Sequence, residues 1–118
     1  MKFGKYVCGG DSVTFERGPF LVTIRLEYDQ DTRPNDFDCY SEEDIQRWRD
    51  DEWFYGGLVA SVSIDGVELD DHAASLWGID CNFGNENTYL DEVAADLLGQ
   101  IDFAALSRRL QDIAAKAA

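Results

Sequence analysis

The sequence predicts an α+β domain: an antiparallel sheet of about four or five strands covered by two or three helices, with residues 1–118 forming one unit. Three observations predict it. Residues 20–28 alternate strictly between apolar and polar positions. The dipeptide Asp65-Gly66 separates two apolar runs, as a hairpin turn does. Two stripes of helical period follow one another in the last third of the chain.

In chain order, Ser12 to Glu16 is a short strand and Arg17-Gly18-Pro19 a turn. The second strand places Phe20, Val22, Ile24, Leu26 and Tyr28 on its buried face. Residues 29–40 show no period, contain Pro34 and Asn35, and read as a loop. Ser41 with Asp44 three residues on is a capping-box variant, and Glu42, Glu43 and Asp44 suit the positive end of a helix dipole. That helix should end near Asp51 or Glu52, with Ile45 and Trp48 facing the core. A third strand runs from Trp53 to Ile64, with Leu58, Ala60, Val62 and Ile64 on one face, Ser61 and Ser63 on the other, and a bulge at Gly56-Gly57. Val67 and Leu69 begin the returning strand, and residues 75–83 supply another short one. Thr88 and Asp91 form a second capping-box pattern before Leu90, Val93, Ala94, Leu97 and Leu98, and Gly99 ends that helix. Asp102 caps a last helix with Phe103, Leu106, Leu110, Ile113 and Ala114 in one stripe.

Charge is the chain's second feature. There are 24 acidic and 10 basic residues, a net charge of −14. Residues 29–96 hold 19 of the acids and only three arginines, whereas each flank is +1. A region of one sign selects partners of the other. Direct attachment to nucleic acid or to an anionic membrane is therefore not expected. The apolar fraction of 45% argues for a folded core rather than an acidic disordered chain. No apolar run approaches the ~20 residues of a bilayer span, and no apolar segment of a secretory signal follows Lys2 and Lys5. Three cysteines without a close pair suit free, buried thiols in a reducing, cytoplasmic compartment.

The densest tract, residues 29–52, holds Asp29, Asp31, Asp36, Asp38, Glu42, Glu43, Asp44, Asp50, Asp51 and Glu52. It reads either as a solvated surface or as a docking surface for a basic protein. Duplex DNA carries one phosphate per ~3.4 Å of each strand. A loop and helix dense in carboxylates approach that spacing and would compete for a basic groove. The expected partner-binding residues are Asp29, Asp31, Asp36, Asp38, Glu42, Glu43, Asp50, Asp51 and Glu52.

Other constellations carry less. Asp29-Gln30-Asp31 and Asp36-Phe37-Asp38 offer the hard oxygens calcium prefers but lack the EF-hand spacing. Cys8, Cys39, Cys81 and His72 match a zinc set by count, yet no two lie within eight residues. Asp70-Asp71-His72 with Ser75 gathers triad residue types, but sequence neighbours rarely reach triad geometry and no nucleophile elbow is present. No cofactor, metal or catalytic residue is expected. Trp48, Trp53, Phe54, Tyr55 and Trp77 are expected in the core; any that surfaces beside the acids becomes an interface anchor, with residues 48–55 the first place to look.

The run Asp71-His72-Ala73-Ala74-Ser75-Leu76-Trp77-Gly78-Ile79-Asp80-Cys81-Asn82-Phe83, then Tyr89-Leu90-Asp91-Glu92-Val93-Ala94, resembles small acidic proteins of proteobacterial phages and other mobile elements. So does Tyr28-Asp29-Gln30-Asp31-Thr32-Arg33-Pro34. The resemblance covers about a quarter of the chain, contains no catalytic motif and transfers no functional residue. It implies a bacterial host cell and a class that includes anti-CRISPR and anti-restriction proteins, some of them DNA mimics. The chain departs from the most acidic mimics at Arg108, Arg109 and Lys116. The resulting expectation is a non-enzymatic inhibitor that blocks the basic groove of a nucleic-acid-binding defence protein, a CRISPR effector or restriction complex. The alternative is an acidic interaction or regulatory module of a mobile element with no defence role. A small enzyme built on His72 with Asp70 or Asp71 is the third reading.

Overall fold

Four strands pair consecutively, in the order β1-β2-β3-β4 and antiparallel throughout: β1 (Ser12–Arg17), β2 (Phe20–Tyr28), β3 (Phe54–Ile64) and β4 (Val67–Cys81). The computed structural model describes residues 2–84 and 87–117. Three helices complete it: α1 (Glu42–Arg49) between β2 and β3, then α2 (Thr88–Gln100) and α3 (Phe103–Ala117) after the sheet. A single 3-10 turn, Pro34–Asp36, interrupts the loop that precedes α1. The chain is thus an α+β fold with a four-stranded antiparallel sheet.

The register explains the core. Val22, Ile24 and Leu26 of β2 stand opposite Val62, Ala60 and Leu58 of β3, and cross-strand partners share a face. All six are fully buried. Leu90, Val93, Ala94, Leu97 and Leu98 of α2 close over this inner face and join the same cluster. The period-two pattern of β2 and the period-3.6 pattern of α2 therefore meet in one apolar layer. Tyr28, expected on the buried face, is exposed because β2 ends there and the chain turns away.

β4 corrects the expectation of two short strands. It is one strand of 15 residues, paired to β3 through three register shifts. Ala60 faces Ala74 while Val62 faces Asp70, so β4 carries extra residues around His72. A further irregularity lies opposite Gly56–Leu58, where Ile79 and Leu76 leave Trp77 and Gly78 bulged. These bulges broke the alternation that would have shown the strand whole. They also protect a long edge strand from pairing with another chain.

The helix termini differ in part from the sequence reading. Ser41 does cap α1: its hydroxyl accepts from the Asp44 N–H at 3.1 Å, and the Asp44 carboxylate accepts from the Ser41 N–H at 3.3 Å. α1 ends at Arg49, earlier than expected, in a Schellman arrangement. The N–H of Asp51 donates to Trp48 O and that of Glu52 to Arg47 O, with Asp51 left-handed at φ 61°. Thr88 makes no cap. Asn87 precedes α2, and the Asp91 carboxylate accepts the Phe3 N–H instead. Gly99 lies inside α2, which runs on to Gln100. Asp102 caps α3 as expected, accepting the Ala105 N–H at 2.9 Å.

Only the first half of α3 docks. Phe103 meets Phe20 at 5.5 Å between ring centroids, and Leu106 is buried. Ile113 is 52% exposed and Ala114 is also in solvent, so the expected apolar stripe is left half open. The projecting helix contributes to extents of 62 × 25 × 19 Å and a radius of gyration of 17.2 Å. A compact chain of this length would have about 13.5 Å.

This difference in packing is measurable. Ile24→Ala should lower unfolding free energy by about 2–5 kcal/mol in urea titration, whereas Ile113→Ala should stay within about 0.5 kcal/mol.

Candidate protein-interaction surface

The outer face of the sheet has its own small core at the end where β3 begins. Tyr55 pairs with Asp80 of β4 on that face. Trp53, Tyr40 and Phe83 gather around it: Tyr40 stacks on Trp53 at 5.1 Å, Phe83 meets Trp53 edge-on at 4.9 Å, and Tyr55 meets Trp53 at 5.2 Å. Trp53 is fully buried and Tyr55 nearly so, as expected. Trp48 and Phe54 are half-buried. Trp77 leaves the core, with 43% of its surface exposed.

This aromatic cluster positions α1, which contributes no buried residue of its own. Ile45 and Trp48 are only half-buried, so the expectation that they enter the core fails. The helix is instead held by polar pins. The Trp53 indole N–H donates to Asp44 O at 2.9 Å, and the Arg47 guanidinium donates to Phe83 O at 3.1 Å while lying over the Phe83 ring. The Tyr40 hydroxyl donates to the Asp80 carboxylate at 3.1 Å. Burial first, then its neighbour Tyr55 and the Asp80 carboxylate, push the Tyr40 phenol well above its ordinary pKa. Burial likewise raises Tyr55, against a smaller opposing effect of Tyr40.

The structure separates the expected partner-binding acids by role. Asp29 is committed internally. Its carboxylate accepts from the Asp31 N–H (3.0 Å), the Thr32 N–H (3.1 Å), the Thr32 hydroxyl (2.7 Å) and the Gly78 N–H of β4 (3.0 Å). Desolvation pushes this carboxyl up, but the hydrogen bonds outweigh it and leave the pKa lowered. Asp36 caps the 3-10 turn through the Arg33 N–H, and Asp50 accepts from the Gln46 amide. The backbone of Asp51 forms the left-handed end of α1, while its exposed carboxylate makes no hydrogen bond or ion pair among the described residues. Asp31, Asp38, Glu42, Glu43 and Glu52 are exposed and make no side-chain hydrogen bond or ion pair among the described residues.

The free acids fall in three places. Asp38, Glu42 and Glu43 line an open groove of about 790 Å³ with Phe37, Tyr40, Ile45 and Arg49. Phe37 is 46% exposed there. Asp51 and Glu52 lie beyond the other end of α1, which is about 12 Å long. Asp31 belongs to a second hollow, with Tyr28, Asp29, Gln30, Thr32 and Trp77. The sequence pointed first to residues 48–55 for an anchor and named Trp77 as one if exposed, but gave no sign of Phe37. The signal for Trp77 was its place before Gly78 in a strand whose pairing is bulged.

The chemical constellations resolve as well. Among the described residues no three His, Cys, Asp or Glu side chains converge as a metal set would. Cys8 and Cys39 are exposed, against the expectation of buried thiols. Cys81 is buried, and desolvation followed by the Asp80 charge pushes its thiol up to about 12. His72 Nε2 lies 2.8 Å from Ser75 Oγ on the exposed bulge of β4. The Asp70 carboxylate accepts the His72 backbone N–H rather than a ring nitrogen, so the orienting contact of a triad is not made. No helix among the described residues is long and apolar enough to cross a membrane. Comparison with protein families, with curated proteins and with solved structures finds no match to the chain.

The Asp29 lock carries a pH signature. Its lowered folded-state pKa means the stabilisation is present above the ordinary Asp value of about 3.9 and is lost as pH falls through the lower folded value. Asp29→Asn should cost about 1 kcal/mol at pH 7, discounted for solvent exposure, and the gap to the parent protein should close toward acid pH in urea titrations at each pH.

Proposed function

We propose that the protein is a non-enzymatic binding protein that occupies the basic, nucleic-acid-contacting surface of another protein, and that the loop before α1 together with α1 supplies the contact. One observation carries this reading. The acids of residues 29–52 are left largely unneutralised by the molecule's own cations. In that segment ten acids face three arginines, and among the described residues only Asp44 is in an ion pair, with Arg47 at 3.8 Å. Glu42 and Glu43 project from a helix whose position is set by Arg47 and Trp53, so they add charge without being needed for its anchoring.

Uncommitted carboxylates beside exposed Phe37 suit an interface with an apolar centre and a charged rim. Such a surface steers association with a cationic groove and displaces the polyanion that the groove normally holds. The charge together with the likeness to mobile-element proteins favours a host-defence protein, a CRISPR effector or restriction complex, as the receptor, and inhibition as the consequence.

Capture from bacterial lysate tests the reading. The immobilised chain should retain nucleic-acid-binding proteins at about 50 mM salt, release them by about 200 mM, and release them to added duplex DNA. The variant Asp38→Asn/Glu42→Gln/Glu43→Gln/Glu52→Gln should retain at least about tenfold less, with unchanged circular dichroism. Retention indifferent to salt, to DNA and to these substitutions would sink the proposal.

A further inference from the structure

Trp77 occupies an unusual position for a large aromatic residue. It stands at a bulge of β4, on the outer face of the sheet, with one ring face laid on the backbone of Gly57. A Cβ at Gly57 would sit 2.1 Å from the ring, so glycine is what allows the tryptophan to lie there. The ring nevertheless keeps 43% of its surface in water. Beside it the chain 29–32 borders an open hollow of about 530 Å³, within the roughly 300–1,000 Å³ of ligand-sized sites.

The hollow is held rigid. The Asp29 carboxylate ties the 31 and 32 backbone and the Thr32 hydroxyl to Gly78 of the bulge, so the loop and the tryptophan are set relative to each other before any partner arrives. Gly78 holds a φ of 75°, which allows the bulge. Of the carboxylates nearby, Asp29 is saturated and Glu27 is paired with Arg25 at 3.0 Å. Asp31 is exposed and its carboxylate is uncommitted among the described residues. No Lys or Arg lines the hollow.

We propose that this hollow is the anchoring subsite of the interface, and that its occupant is one arginine side chain of the basic partner, stacked on Trp77 and hydrogen-bonded to Asp31. The proposal rests on the functional reading above and names the chemistry of the contact. A guanidinium is planar, stacks on an aromatic face and presents a fork of N–H donors to a carboxylate. A lysine ammonium supplies the charge without the plane or the fork. A nucleobase also stacks, but its phosphates would meet carboxylates and find no cation in the hollow.

Binding of nona-arginine and nona-lysine peptides at low salt tests this. The parent chain should bind nona-arginine about tenfold tighter than nona-lysine, and the Trp77 indole N–H resonance should move with nona-arginine while that of buried Trp53 stays still. Trp77→Ala and Asp31→Asn should each remove the arginine preference; the Asp31 side chain makes no internal bond, so that variant keeps the fold. Glu42→Gln/Glu43→Gln should weaken both peptides alike and keep the preference. Equal affinity for the two peptides, or a preference that survives Trp77→Ala and Asp31→Asn, overturns the anchor while leaving the acidic docking surface in place. Binding of neither peptide overturns both.

Discussion

Burial of β3 on both faces is the constraint from which the rest of the structure follows. Leu58, Ala60 and Val62 point into the layer closed by α2, while Tyr55, Val59 and Ser61 on the other face are almost as inaccessible. An antiparallel strand usually has one wet face. Here β2 and β4 flank it, α2 covers one side, and the aromatic cluster around Trp53 covers the start of the other. Gly56 and Gly57 make this possible. A side chain at 56 would strike Leu26 and Cys81, and one at 57 would strike Trp77. Gly56 thus lets Leu26 and Cys81 pack closely on the inner face, and Gly57 lets Trp77 lie on the outer one.

The aromatic cluster on the outer face decides how the carboxylates are displayed. A short helix of eight residues, rich in charge and with no buried side chain, would be marginal in isolation. It is kept by a capping box at one end, a Schellman closure at the other, and two polar pins to the aromatic cluster. Several acids of the tract are consumed in this work. The carboxylates of Asp29, Asp36, Asp44 and Asp50 accept hydrogen bonds at turns and helix ends, so fewer of them than the acid count suggests are free to bond a partner. What remains free among the described residues is Asp31, Asp38, Glu42, Glu43, Asp51 and Glu52, distributed over two hollows and the far end of α1 rather than along one unbroken row.

Most of the regular elements were legible because their signals are local. The alternation of β2, the Asp65-Gly66 turn and the Ser41–Asp44 cap each depend on residues a few positions apart. β4 was legible only in pieces, because each bulge resets the period by which a strand is recognised. The stripe of α3 was legible as a helix face but not as a half-docked one; whether Ile113 meets a neighbour depends on where the sheet ends. At the candidate site, residue type was readable and assignment was not. Asp29 and Asp31 are two residues apart and chemically identical, yet one is locked to Gly78 across the sheet and the other is free.

The sequence by itself determined most of the secondary elements, the apolar faces of β2, β3 and α2, and the confinement of negative charge to the middle of the chain. These follow from periodicity and composition, which act over short range. Only the tertiary structure decided which carboxylates are structural, that Trp53 is interior while Trp77 is exposed, and that an acidic loop is fastened beside that tryptophan. Those outcomes depend on hydrogen bonds and steric contacts between residues as far apart as Asp29 and Gly78, and no local pattern encodes such a meeting.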